Sequence, residues 1–256
     1  MIINRDKSVI LACDVSLFNL IDIVRDIDGV EGIGGYKIGF ELGLEQGLPR
    51  VVENVRQYTK KPLIYDHQKA GTDIPETGVK FAKLMKSSGI DAAILFPQSG
   101  PATQYAWTKA LQDEGVGVIV GGEMTHPRYL TGDVSDSKVV EYSKIFESLG
   151  IQEQLDGYIY DDSPELMYLL AAKMGVSDFV MPGNKPDRIS SYREVVENAG
   201  IDEPVIYSPG LVAQGGEVSE GAKAAGKRFH AIVGRGIYNV DAKDYAKVAE
   251  ELTSQL

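Results

Sequence analysis

Short apolar runs separated by amphipathic stretches recur along this chain, and their spacing restricts the fold more than any other feature. Runs that predict strands lie at Val9–Cys13, Ile33–Ile38, Pro62–Tyr65, Ile90–Phe96, Val116–Gly121, Phe179–Pro182, Pro204–Tyr207 and His230–Val233. Val9-Ile10-Leu11-Ala12 and Ala92-Ala93-Ile94-Leu95 are apolar at every position, as in strands covered on both faces. Between the runs lie helical patterns. Glu76–Ser88 sets Val79, Phe81, Ala82, Leu84 and Met85 among lysines and stops at Gly89, and Ala102–Glu114 stops at Gly115. Strand starts fall roughly 24 to 29 residues apart, the length of a repeated βα unit.

One interval is longer, holding about 35 residues beyond one such unit between Val116 and Phe179. An elaborated connection at about 130–175 is expected there, with helices around Val139–Leu149 and Pro164–Met174. Tyr158-Ile159-Tyr160 between them could form a further strand and disturb the count. The simplest account is a single (β/α)8 TIM-type barrel over residues 1–256, with an insertion after the fifth strand. A chain of 256 residues is typical for that fold.

A net charge of −11 argues against general binding to nucleic acid or anionic membranes, while leaving room for an anionic small molecule in a local pocket of donors. The single Cys13 allows no intramolecular disulfide and reads as a small core residue of a cytoplasmic protein. The apolar stretch near the N-terminus is too short for a signal peptide or a membrane span.

Parallel α/β folds keep their chemistry where strands end. The richest such place is Tyr65-Asp66-His67-Gln68-Lys69-Ala70-Gly71-Thr72-Asp73, which sets Lys69 between two aspartates. Opposite charges at short range hold the lysine protonated and the carboxylates ionised. Lys37 lies inside the second strand, where an unpaired charge would be costly. It is expected to point into a polar cavity and pair with Asp14 or Asp66. Two glycine-rich turns follow the last two strands, Ser208–Glu217 and Gly234-Arg235-Gly236. Their backbone N–H groups and the Arg235 fork suit a phosphate. Thr125 after the fifth strand can bond a ligand or cap the next element, and His126 before Pro127 reads as structural. No H-E-x-x-H, Walker A or G-x-S-x-G pattern occurs.

Taken together, Leu11-Ala12-Cys13-Asp14, Tyr36-Lys37-Ile38-Gly39, Lys69–Thr77, Glu123–Pro127, Val180–Pro186, Ser208–Glu217 and Val233–Tyr238 resemble, in order, the orotidine 5′-phosphate decarboxylase family, especially its archaeal-type sequences. The resemblance implies a homodimeric barrel that uses neither cofactor nor metal. Its reaction converts orotidine 5′-monophosphate to uridine 5′-monophosphate and CO2 in de novo pyrimidine biosynthesis. It implies that Lys69 protonates C6, that Asp66 lies beside the departing carboxylate, and that Asp73 enters the site of the neighbouring subunit, contacting the ribose with Thr77. Asp14 and Lys37 match the ribose-hydroxyl pair, Thr125 and Pro182 the base contacts, and Gln214, Gly234 and Arg235 the phosphate gripper. The family's D-x-K-x-x-D spacing is here Asp66-x-x-Lys69-x-x-x-Asp73, one residue longer in each gap. Two alternatives stay open. One is a Mg²⁺-dependent sugar-phosphate decarboxylase or aldolase of the same superfamily, with Glu41 as an added ligand. The other is a catalytically inactive nucleotide-binding barrel.

Overall fold

A computed structural model describes residues 2–66, 72–132, 144–150 and 157–256. Eight parallel strands close in sequence order into a barrel. They are β1 (Lys7–Cys13), β2 (Ile33–Gly39), β3 (Leu63–Asp66), β4 (Ala92–Leu95), β5 (Gly117–Gly121), β6 (Asp178–Val180), β7 (Val205–Ser208) and β8 (Arg228–Val233). The expected barrel is therefore present, and β3 runs one residue further than the apolar run suggests, so Asp66 ends the strand.

Helices cover the outside. They are α1 (Leu17–Ile27), α2 (Phe40–Leu42), α3 (Leu48–Val55), α4 (Gly78–Ser87), α5 (Pro101–Asp113), α6 (Ser163–Lys173), α7 (Pro186–Asn198), α8 (Val218–Ala225), α9 (Arg235–Tyr238) and α10 (Tyr245–Thr253). In α1 the Ser16 hydroxyl accepts the Asn19 N–H and starts the helix. Leu20, Ile23, Val24 and Ile27 then form the i, i+3, i+4, i+7 stripe that packs on the strands. Each such fully buried side chain contributes roughly 1.5–3 kcal/mol. Cys13 sits in this layer, and burial holds its thiol well above the usual range, so it is packing and not a nucleophile.

The long connection between β5 and β6 carries α6, close to the expected Pro164–Met174 helix. Of the helix expected around Val139–Leu149, residues 139–143 lie outside the described residues, and 144–148 are helical. Ile159 forms an isolated parallel bridge with Leu130, outside the barrel, so Tyr158-Ile159-Tyr160 adds no ninth barrel strand.

Strand alternation decides which residues face the barrel axis. Ile10, Ala12, Ile64, Ala92, Ile94, Val180 and Ile232 pack together there as a second core. A register shift between Val9 and Ile10 lets Ile33 pair with outward Val9 and Gly35 with inward Ile10. The shift is what brings Lys37 level with Ala12 and Ile64, facing inward. It needs the Gly34-Gly35 pair, because a Cβ on Gly34 would run into Ser8 Oγ and one on Gly35 would lie 2.8 Å from the Pro62 carbonyl. Below the apolar layer, Ser8 Oγ bonds His230 Nδ1 at 2.8 Å and the Tyr207 hydroxyl donates to Asp178 at 2.8 Å. The mouth at the opposite, C-terminal end of the strands is lined by polar and charged side chains.

Candidate active site

Lys37, level with Ala12 and Ile64, and the axial carboxylates Asp14 and Asp66 one step beyond converge on one cavity of about 350 Å³. Ile94, Val180 and Ile232 line its floor, while Gln214, Gly234 and Arg235 line its rim from the β7 and β8 loops. A second, larger groove of about 710 Å³ lies outside the barrel between α5 and α6. Its walls are mainly apolar, and Lys173 is its only charged lining residue among the described residues, so the smaller cavity is the one rich in titratable groups.

Lys37 donates directly to Asp66, and the side chains are only 9% and 4% exposed. Burial alone would depress the ammonium's pKa. Asp66 and Asp14 outweigh it, so Lys37 stands above the ordinary lysine value and remains charged. The other carboxylate oxygen, Asp66 Oδ1, is buried with no hydrogen-bond partner among the described residues. It is left for a further donor. Lys69 itself lies outside the described residues.

Thr125 does not line the cavity but packs against Gly210, which does. Its carbonyl accepts from Asn184 at 3.1 Å, and its methyl approaches Gly210, where an added Cβ would lie 2.7 Å away. The loop that carries it is anchored by Glu123, whose buried carboxylate accepts from Lys185 at 2.6 Å, from Arg188 at 2.9 Å and from the Tyr192 hydroxyl. Pro182 is buried past the end of β6 without lining the cavity.

Asp73 and Thr77 are not brought to this cavity. Asp73 is exposed, and its side chain accepts the N–H of Ile74. Its carbonyl is held by Thr103 at 2.9 Å, and Trp107 holds the Ile74 carbonyl at 3.1 Å, so α5 presents this segment outward. Thr77 donates to the same Ile74 carbonyl. Phe40, Glu41, Leu211, Ala213 and Tyr238 also line the cavity. Of these, sequence reasoning assigned a role only to Glu41. Tyr238 had one available signal, its place one helical turn after Arg235.

The fold and the cavity define a (β/α)8 barrel enzyme scaffold. A buried lysine–carboxylate pair sits at the centre of its C-terminal mouth, and donors for an anion sit on its final loops. The chain belongs to the orotidine 5′-phosphate decarboxylase / HUMPS family, whose model matches residues 7–252. It is 27% identical over 254 residues to orotidine 5′-phosphate decarboxylase of Methanosarcina barkeri, covering 98% of this chain and 97% of the relative. It is 28% identical over 218 residues to the enzyme of Methanococcus maripaludis, covering 85% and 84%. Among solved structures, the fold matches orotidine 5′-monophosphate decarboxylase of Methanocaldococcus jannaschii complexed with the inhibitor BMP, with a TM-score of 0.73 and 21% identity over 98% of this chain and 99% of that one. The Pyrococcus horikoshii enzyme gives a TM-score of 0.69 at 23% identity, covering 96% and 98%.

Proposed function

We infer that this protein decarboxylates orotidine 5′-monophosphate to uridine 5′-monophosphate and CO2, a step of pyrimidine biosynthesis. The observation that carries this reading is the buried Lys37–Asp66 pair facing a cavity whose rim bears Gln214, Gly234 and Arg235. Family membership and the decarboxylase relatives stand behind it.

Loss of CO2 leaves a carbanion at C6 in the plane of the pyrimidine, with little resonance relief. The site has to stabilise negative charge at that atom and then deliver a proton there. Lys69, three residues after Asp66, is the donor in this reading. Asp66 Oδ1, without a partner among the described residues, is the acceptor that orients it. Asp66 also lies beside the substrate carboxylate, and Lys37 and Asp14 take the ribose hydroxyls. Thr125 and Pro182 support the base from behind the cavity wall, Thr125 through Gly210, and the phosphate, remote from the reacting carbon, binds at Gln214, Gly234 and Arg235.

Asp73 serves a second copy of the chain. Its exposed position, held by α5 away from its own cavity, supports a homodimer in which Asp73 and Thr77 complete the partner's site. A cytoplasmic location accords with this reading, and no described helix is long and apolar enough to cross a membrane.

The metal-dependent alternative draws on Glu41, which lines the cavity. The Lys37 ammonium already occupies Asp66 and competes with a cation there. Following orotidine 5′-monophosphate loss with and without EDTA tests both readings. Turnover that survives EDTA is expected; turnover abolished by EDTA, or none in either condition, contradicts the proposal.

A further inference from the structure

Val212 adopts a left-handed backbone (φ 59°), a conformation that a β-branched residue rarely takes. It sits in the loop after β7, two residues before Gln214. Strain of this kind persists where the surroundings over-determine it, and it gathers at functional sites. Here the Val212 N–H donates to Gly216 at 2.8 Å, the Gly215 N–H to Val212 at 3.2 Å, and the Gly216 N–H to Gly210 at 3.2 Å. Leu211 and Gly216 form a bridge that closes the loop on itself.

The side chain of Val212 has its own partner. An added Cβ on Gly236 would lie 3.0 Å from Val233 Cγ1, 3.1 Å from Val212 Cγ1 and 3.4 Å from Val212 Cβ, so the isopropyl group of Val212 rests over Gly236 beside Val233. Gly236 follows Arg235 in α9. The contact thus joins the two segments that carry Gln214 and Arg235, the polar groups on the same rim of the cavity.

We propose that Val212 is a positioning residue: its left-handed backbone and its contact with Gly236 latch the β7 loop to the β8 turn, so that Gln214 and Arg235 address one phosphate together. The proposal rests on the phosphate reading above. A conformationally free residue at 212 would close the same loop without strain. Valine adds a side chain that a glycine at 236 receives without crowding.

The test uses Val212→Ala, Gly236→Ala and the double variant, with orotidine 5′-monophosphate as substrate and uridine 5′-monophosphate as binding probe. Gly236→Ala brings a methyl against both Val212 and Val233 and is expected to raise KM and the Kd of uridine 5′-monophosphate about tenfold, with kcat within about twofold of wild type. Val212→Ala, which loses the contact without a clash, is expected to raise both about threefold. In the double variant the shortened side chain relieves the contact with residue 212 and leaves the one with Val233, so both constants are expected to fall at least about twofold below those of Gly236→Ala. A Gly236→Ala protein with wild-type KM and Kd overturns the latch. So does a fall in kcat matching the rise in KM, or a double variant no better than Gly236→Ala. Wild-type protein that neither turns over the substrate nor binds the probe contradicts the phosphate reading itself and removes the latch with it.

Discussion

Lys37 on β2 and Asp66 at the end of β3 form a buried ion pair at the mouth of the barrel, with one oxygen of Asp66 engaged and the other without a partner among the described residues. A pair in this setting is held by mutual need, since either charge left alone in the cavity wall is poorly solvated. Replacing Lys37 with Met is therefore expected to lower unfolding stability by about 3–5 kcal/mol. Replacing both residues, Lys37→Met with Asp66→Leu, should recover much of that loss. Urea unfolding of the single and double variants measures the coupling. Additive effects would contradict a mutually dependent pair.

Arg235 is exposed on the cavity rim, where a guanidinium can bond phosphate oxygens in a fork. Losing a hydrogen bond to a charged group costs about 1.5–3 kcal/mol. Arg235→Ala is accordingly expected to raise KM for orotidine 5′-monophosphate by about 10- to 100-fold. Steady-state kinetics decide it, and an unchanged KM removes the phosphate assignment.

At the opposite end of the barrel, burial, with a lesser contribution from Arg228, lowers the pKa of His230 from 6.5 to about 3. The unfolded chain takes up a proton on this residue as pH falls below 6.5, while the folded chain holds it neutral until about 3. The unfolded state thus binds more protons across that window. The neutral ring's contribution is intact above 6.5 and declines on acidification by up to about 1.4 kcal/mol per pH unit. Burial also raises the carboxyl pKa of nearby Asp178, whose contribution runs the other way, against the hydrogen bonds from Ser177 and Tyr207. Comparing wild type with His230→Gln isolates the histidine. The stability gap between them is expected to narrow from pH 7 to pH 4, and parallel curves would count against a neutral buried ring.

The barrel was legible because strands buried on both faces read as unbroken apolar runs, and the glycines after Glu76–Ser88 and Ala102–Glu114 mark real helix ends. Lys37 was legible for the same reason, as a charge inside such a run. Its choice of Asp66 over Asp14 was not, because it depends on the register shift between β1 and β2. That shift in turn depends on contacts of Gly34 and Gly35 with residues far away in sequence. The outward turn of Asp73 was equally hidden, since Thr103 and Trp107 impose it from another helix. Val212 gave no local sign at all. Left-handed positions are normally marked by glycine, and Leu211-Val212-Ala213 reads as an ordinary apolar run.

Asp73 offers a test of assembly. If it completes the partner's site, Lys69→Ala and Asp73→Ala proteins are each inactive alone. Mixed dimers of the two contain one site with both residues intact. Unfolding and refolding the two variants together is expected to restore activity that neither shows separately. Failure to recover any, with dimers present by ultracentrifugation, would contradict a shared site.

The most direct measurement is the turnover of orotidine 5′-monophosphate by wild-type and Lys69→Ala proteins, with uridine 5′-monophosphate binding measured on the same samples. The expected result is metal-independent CO2 release by wild type, and loss of turnover by at least about a thousandfold in the variant with nucleotide binding retained. Near wild-type turnover without Lys69 would contradict its role as proton donor at C6, and with it the decarboxylation chemistry assigned to this site.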